Sequence, residues 1–144
     1  MPYDAEMIQP FRDEATAMGL TELRTPAAVD AVVAPGKGTA LVFINSVCGC
    51  AGGIARPGLA AALRHPAKPD VAATVFAGGD VEAVQRVRSL TVGYPPSSPA
   101  AALFRDGKCV WMLQRHEIEG RDAASIAKAF TSAFDRFCVA QAAR

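Results

Sequence analysis

The apolar run Leu41-Val42-Phe43-Ile44 passes through Asn45-Ser46-Val47 into Cys48-Gly49-Cys50, and then into the small residues Ala51-Gly52-Gly53. The first part has the composition of a buried strand, and the last part can open a helix. Two thiols at a strand-to-helix junction constrain the chain more than any other feature. A helix N-terminus presents unpaired N–H groups and a partial positive charge, both of which favour thiolate over thiol. Cys48 is therefore expected to be a thiolate nucleophile and Cys50 its resolving partner.

Acidity alone supplies little rate. A thiol with a pKa near 8.5 is about 3% ionised at pH 7, and one with a pKa near 6.5 roughly 75%. Because nucleophilicity falls as pKa falls, that ~25-fold gain in thiolate becomes roughly threefold in rate. Positioning and the neighbouring thiol must supply the rest. A disulfide closed across one residue needs a tight bend, which Gly49 permits, and a strained ring of this kind is readily reduced. The pair is suited to being made and broken, not to stapling a fold.

With 144 residues the chain has the size of one domain with a real core. A formal charge of +1 gives no reason to expect nucleic acid or an anionic membrane as a partner. No apolar run approaches the roughly eighteen residues of a membrane span. The first helix carries Asp4, Glu6, Asp13 and Glu14 instead of an apolar signal core, so a cytoplasmic location is expected. Four cysteines in such a chain, two of them nearly adjacent, point to redox or metal chemistry before structural disulfides.

The spacing of Met7, Ile8, Phe11, Ala15 and Met18 predicts an amphipathic helix over 3–18, stopped at Gly19. Thr25-Pro26 caps and opens a short helix through Val33. A loop at Pro35-Gly36-Lys37-Gly38 leads into a buried strand over 39–46. A helix over 51–64 is expected next, with Ile54, Leu59 and Leu63 toward the core and a bend where Pro57 leaves Gly53 without an intrahelical partner. Gly52 and Gly53 either admit a substrate to the backbone or relieve a crowded junction. Arg56 could favour a thiolate or bind a substrate carboxylate, but a solvated surface arginine is the preferred reading.

A second strand over 71–77 and a helix capped by Asp80, with Val81, Val84, Val87 and Leu90 on one face, continue the chain. Strand, helix, strand, helix favours a parallel βαβ core in an α/β fold. Gly93-Tyr94-Pro95-Pro96-Ser97-Ser98-Pro99 then precedes a strand over 100–105; proline is the residue for which a cis peptide costs little. Asp106-Gly107 turns a hairpin into a strand over 108–114. A charged loop over 115–121 and a final helix over 122–138, with Ile126, Ala129, Phe130, Ala133, Phe134 and Phe137 as its stripe, complete the order before a short polar tail.

That order resembles the thioredoxin fold, and the motifs are more specific still. Asn45 to Ala51, Ala55-Arg56-Pro57, Thr74-Val75-Phe76-Ala77-Gly78, Gly93 to Pro99, Ile118-Glu119-Gly120-Arg121-Asp122 and Ala133 to Cys138 resemble the bacilliredoxin family over nearly the whole chain. The resemblance implies a single thioredoxin-like α/β domain, with N-terminal helices over 1–36 and a core over 39–140 built on a mixed sheet flanked by helices. It implies a cis peptide between Ser98 and Pro99 beside the thiols. The implied activity is thiol–disulfide exchange that strips bacillithiol from mixed disulfides on proteins, Cys48 attacking and Cys50 or a second small thiol resolving. Bacillithiol would be a co-substrate, with no bound cofactor or metal. Gly49, Ser98, Pro99, Tyr94 and Arg56 are the residues expected to support the site or bind substrate. Ile54 stands where the family often has a polar residue, and the strand before the thiols lacks the buried carboxylate of thioredoxins proper.

Two other readings use the same cysteines. One is a general disulfide isomerase or reductase without preference for a small thiol. The other is a metal-binding module in which Cys48 and Cys50 join two of Cys109, Cys138, His65 and His116, although scattered single ligands do not have the usual zinc spacing. Cys109 is expected to be a small buried hydrophobe, and Cys138 either a reactive or auxiliary thiol or, as the preferred reading, buried and inert. His116 and Glu117 are expected on a surface loop and not as an acid–base pair, and His65 near helix-end carbonyls. Tyr94 either lines a substrate groove or closes its own loop.

Overall fold

The computed structural model of the chain describes residues 3–33 and 38–138. The expected Pro35–Lys37 loop and the polar tail after Cys138 lie outside them. In order, the elements are α1 (Ala5–Ala17), β1 (Thr21–Glu22), α2 (Pro26–Val33), β2 (Thr39–Asn45), a π-helical turn (Ala51–Ala55), α3 (Arg56–Ala62), β3 (Val71–Phe76), α4 (Val81–Ser89), β4 (Ala100–Arg105), β5 (Lys108–Leu113), α5 (Arg115–Ile118) and α6 (Ala123–Phe137). The strands form one sheet in the order β1-β3-β2-β4-β5. β1, β3 and β2 run parallel, while β4 is antiparallel to both β2 and β5, so the sheet is mixed.

Every residue of β2 is buried, because helices cover both faces of the sheet. Leu41 and Phe43 face one core with Leu59, Ile126, Phe130 and Phe134 of α3 and α6. Val42 and Ile44 point the other way, into a core with Val29, Val33, Val84 and Val87 of α2 and α4. One apolar run thus serves two cores through the two-residue period of a strand. The alanines Ala100, Ala101 and Ala102 in β4 are all buried and add little bulk to either layer.

Several elements differ from the sequence reading for identifiable reasons. β1 spans two residues, too short to carry a period. In α1, Met7 is 50% exposed, whereas Arg12 is buried. Arg12 forms two hydrogen bonds to Asp80, at 3.0 and 2.9 Å. Asp80 is consequently not a side-chain cap for α4; it accepts from Arg12 and from the Phe76 N–H, tying α1 to the β3–α4 turn. Val81 is 43% exposed and does not join the core.

The single helix expected over 51–64 begins as a π-helical turn. Pro57 has no N–H to offer Gly53, and the Arg56 N–H reaches back to the Ala51 carbonyl, five residues away, before α3 continues. The expected charged loop at 115–121 contains α5, whose start is fixed by a capping box: Glu117 accepts the Gln114 N–H at 3.0 Å. Asp122 does cap α6, accepting from the Ser125 N–H at 2.8 Å. At the β4–β5 turn, Asp106 and Gly107 both take left-handed φ values, 51° and 83°, as a two-residue hairpin of this hand requires.

Candidate active site

β2 ends at Asn45, a buried amide that holds the start of the cysteine loop. Its Nδ2 donates to the Phe11 carbonyl of α1 at 3.0 Å, and its Oδ1 accepts the Ser46 N–H at 2.9 Å. Oδ1 also accepts Arg56 Nη1 at 2.8 Å, and the same Nη1 donates to the Ser46 carbonyl at 3.0 Å. Nη2 of Arg56 lies 3.0 Å from Glu14 Oε2, and the guanidinium sits 5.1 Å from the centre of the Phe11 ring. Arg56 is only 3% exposed. The solvated surface reading of Arg56 is therefore corrected: it is a buried brace joining α1, the end of β2 and the first turn of α3. A Cβ on Gly52 would stand 3.0 Å from Arg56 Nη2, so that glycine leaves room for the guanidinium, while Gly53 faces open space.

From this brace the chain reaches the thiols. The Ser46 hydroxyl accepts the Cys48 N–H at 3.2 Å, and the Cys48 carbonyl accepts the Ala51 N–H at 3.1 Å. The two sulfurs are 2.9 Å apart, both partly exposed and both free. Burial opposes ionisation of Cys48 and is its largest single influence. The Cys50 thiol, the Ala51 N–H, the Ser46 hydroxyl and the Cys50 N–H together outweigh it and lower the Cys48 pKa. Cys50 is pushed up to about 11 by burial, by its hydrogen bond to Cys48 and by the charge of Cys48; Arg115 acts in the opposite sense and Glu119 adds to the rise. Either sulfur can donate across the contact, and the opposed shifts favour Cys48 over Cys50 as the thiol that ionises first.

Gly49 is exposed, its φ is not left-handed, and a Cβ there would meet nothing within 4 Å. The bend for which glycine was expected is not in use in the dithiol form.

The Ser98–Pro99 peptide is cis. Ala100 pairs with Ile44, so Pro99 falls level with Asn45, at the end of β2 from which the cysteine loop departs. The Ser98 carbonyl accepts Arg115 Nη1 and the Ser97 hydroxyl accepts the Arg115 N–H, each at 3.3 Å. Tyr94 is 42% exposed, and its N–H closes a turn onto the Thr91 carbonyl at 3.2 Å.

The other candidate ligands are dispersed. Cys109 pairs with Phe104 toward the hairpin end of the sheet, where its thiol donates to the Trp111 carbonyl. Cys138 is buried beside Thr39, at the opposite end of β2 from the cysteine loop and about 20 Å away along the strand. Burial raises the pKa of both thiols. His65 bonds Asp135 at 2.7 Å instead of helix-end carbonyls, and Glu117 is engaged in its capping box beside an exposed His116. Among the described residues, no group of three His, Cys, Asp or Glu side chains could hold a metal ion.

Asn45, Ser46, Glu14 and Arg115 complete this constellation without having been singled out individually. The polar pair Asn45-Ser46 ending an apolar strand was the one visible signal.

A family model described as disulphide isomerase matches residues 3–138. The chain is 48% identical over 140 residues to a bacilliredoxin of Koribacter versatilis, covering 97% of each protein. It is 49% identical over 137 residues to a bacilliredoxin of Geobacillus kaustophilus, covering 95% of this chain and 94% of that one. The chain belongs to the bacilliredoxin family. As a bacilliredoxin-family protein with this fold, it is a thiol–disulfide oxidoreductase. Among solved structures, thioredoxin of Fasciola hepatica superposes with a TM-score of 0.58 at 21% identity, over 82% of this chain and 99% of that one. Thioredoxin of Malassezia sympodialis gives 0.56 at 12% identity, over 83% and 91%. At such identities the likeness establishes the thioredoxin fold and nothing finer. No helix among the described residues is long and apolar enough to cross a membrane.

Proposed function

We propose that this oxidoreductase removes bacillithiol from mixed disulfides on proteins, with Cys48 as nucleophile and Cys50 as resolving thiol. The observation that carries the roles is the asymmetry of the pair: sulfurs 2.9 Å apart, Cys48 made more acidic and Cys50 pushed up to about 11. In the first step the Cys48 thiolate attacks the small-thiol sulfur of the mixed disulfide. A Cys48–bacillithiol disulfide forms, and the protein thiol leaves and takes up a proton. In the second step Cys50 attacks the Cys48 sulfur, giving a Cys48–Cys50 disulfide and free bacillithiol, which carries away the Cys50 proton. The substrate disulfide is reduced by two electrons and the dithiol is oxidised by two. Bacillithiol is thus a substrate group, and the reaction as written uses no bound cofactor.

The cis Ser98–Pro99 peptide, level with the end of β2 where the cysteine loop departs, supports substrate entry at this end of the sheet, and Arg56 braces the loop. Gly49 and Tyr94 are exposed and are proposed to contact substrate. The family membership supports bacillithiol as the small thiol. The disulphide-isomerase description of the matching family model favours a second reading, general exchange with protein disulfides.

A mass-resolved exchange assay separates the two. A model protein carrying bacillithiol, and a matched one carrying glutathione, are incubated with the wild type and with Cys50→Ala. Preferential transfer of bacillithiol onto Cys48, trapped in Cys50→Ala and absent in Cys48→Ala, is the expected result. Equal transfer of both thiols would leave the general exchanger, and an adduct on Cys50 would reverse the roles.

A further inference from the structure

The resolving step places a demand on the site that the first step does not. Cys48 is favoured as thiolate in the free dithiol. Cys50 must give up its proton after Cys48 has entered the mixed disulfide, when the Cys48 charge no longer acts on it but burial still opposes its ionisation. β2, which leads to the thiols and ends at Asn45, contains no Asp or Glu, so no carboxylate on it can take that proton. Besides Cys48, the charged groups that act on Cys50 are Arg115 and Glu119, both on the far side of the cis-proline loop in sequence.

Arg115 is held there by structure. It is the first residue of α5, whose start is fixed by the Gln114–Glu117 capping box. Its own N–H, which has no partner within the helix, donates to the Ser97 hydroxyl, and Nη1 donates to the Ser98 carbonyl immediately before Pro99. The guanidinium is thereby anchored to the loop that borders the thiols. Glu119, one turn later, approaches Arg115 Nε at only 3.6 Å, longer than a good hydrogen bond, so the pair is loosely coupled.

We propose that Arg115, seated on the Ser98 carbonyl, is a positioning residue for the resolving half-reaction: its guanidinium supplies the positive charge facing Cys50 as that sulfur attacks the Cys48 mixed disulfide, and Glu119 attenuates it. The inference rests on the roles given to Cys48 and Cys50 above. The step is balanced as written there: the Cys48–Cys50 bond forms, the bond from Cys48 to the small thiol breaks, and the Cys50 proton leaves on the departing thiol.

The two side chains are about half exposed, with Arg115 at 43% and Glu119 at 54%, so solvent screens their fields. With the gain in thiolate partly offset by the loss of nucleophilicity, such screened charges are expected to alter the attack rate by about threefold or less. The test uses 2-hydroxyethyl disulfide, whose adduct on Cys48 is uncharged, so that no charge on the leaving group can bind Arg115. Acid quench and mass spectrometry follow formation and decay of the Cys48 adduct, with Cys50→Ala reporting formation alone.

Arg115→Gln is expected to slow decay about threefold and move its pH profile to higher pH. Glu119→Gln is expected to speed decay about twofold and move the profile to lower pH, and Arg115→Lys to recover part of the loss. Adduct formation changes less than decay in all three, because the two charges act on Cys50. Opposite signs from neighbouring variants are not what simple loosening of the loop would produce. Unchanged decay, changes of the same sign, or equal changes in formation and decay would overturn the inference while leaving the thiol roles intact. Absence of any Cys48 adduct would overturn the roles and the inference with them.

Discussion

Arg56 donates from Nη1 to the main-chain carbonyl of Ser46 at 3.0 Å, and Ser46 in turn accepts the Cys48 N–H on its hydroxyl at 3.2 Å. A buried cation thus fixes the residue on which the nucleophilic loop hangs. The ion pair with Glu14 adds little, because that carboxylate side chain is 54% exposed. The buried hydrogen bonds to Asn45 and Ser46 matter more.

Arg56→Ala is expected to destabilise the fold by about 3 kcal/mol, since charge-assisted hydrogen bonds contribute more than neutral ones and Asn45 Oδ1 loses a buried donor. Arg56→Lys recovers part of this, because one ammonium cannot reproduce the planar fork. Urea unfolding of both variants measures it. A loss below about 0.5 kcal/mol for Arg56→Ala would mean that the brace is dispensable.

The thiols give a pH dependence of definite sign. With the Cys48 pKa lowered and that of Cys50 near 11, iodoacetamide modifies Cys48 first as pH rises. As pH falls through the Cys48 value, the thiolate is protonated and its reactivity is lost. Cys50→Ala removes the hydrogen-bonding thiol that lowers the Cys48 pKa, so the alkylation profile of Cys48 shifts to higher pH. Cys109 and Cys138, raised by burial, stay unmodified at neutral pH. Peptide-level mass spectrometry across the pH series reads all four sites; earlier modification of Cys50 than of Cys48 would contradict the asymmetry.

Helix α3 meets α6 at Gly58, where an added Cβ would stand 2.8 Å from Ile126 Cγ2 and 3.0 Å from the Ala123 carbonyl. Alanine is the better helix former by about 1 kcal/mol, but overpacking a filled core costs about 1–3 kcal/mol. The backbone carbonyl cannot retreat as a side chain can, so overpacking prevails. Gly58→Ala is expected to lower stability by about 1–2 kcal/mol in thermal or urea unfolding. Combined with Ile126→Ala, it should cost less than the sum of the two single changes, because the deleted branch opens the space the methyl needs. Strict additivity would place the conflict elsewhere.

The order of elements was legible because its signals are local. The apolar run of β2, the Thr25-Pro26 start of α2, the Asp106-Gly107 turn and the stripe on α6 each act within a few residues. Cys48-Gly49-Cys50 was legible as a thiol pair for the same reason, and the prolines before β4 marked the place where Ser98–Pro99 is cis. The π-helical turn was half legible: Pro57 signalled a break, while the bond from the Arg56 N–H to the Ala51 carbonyl came from the fold.

What only tertiary structure decided is which charges are buried and which are drawn to the site. Arg12 and Arg56 lie in stretches that read as helices and Arg115 opens one that reads as a charged loop, and nothing in the neighbouring sequence separates them from solvated arginines. Arg12 is buried because Asp80, 68 positions away, meets it in the folded state. Arg56 is buried because Glu14, Asn45 and Ser46 converge on it from α1 and the end of β2. Arg115 is drawn to the site by Ser97 and Ser98 across the hairpin. Apolar periodicity reports which face of an element avoids water, and a chain carries that information locally. A buried charge is tolerated only where its partners arrive with it, and their arrival depends on how distant segments pack.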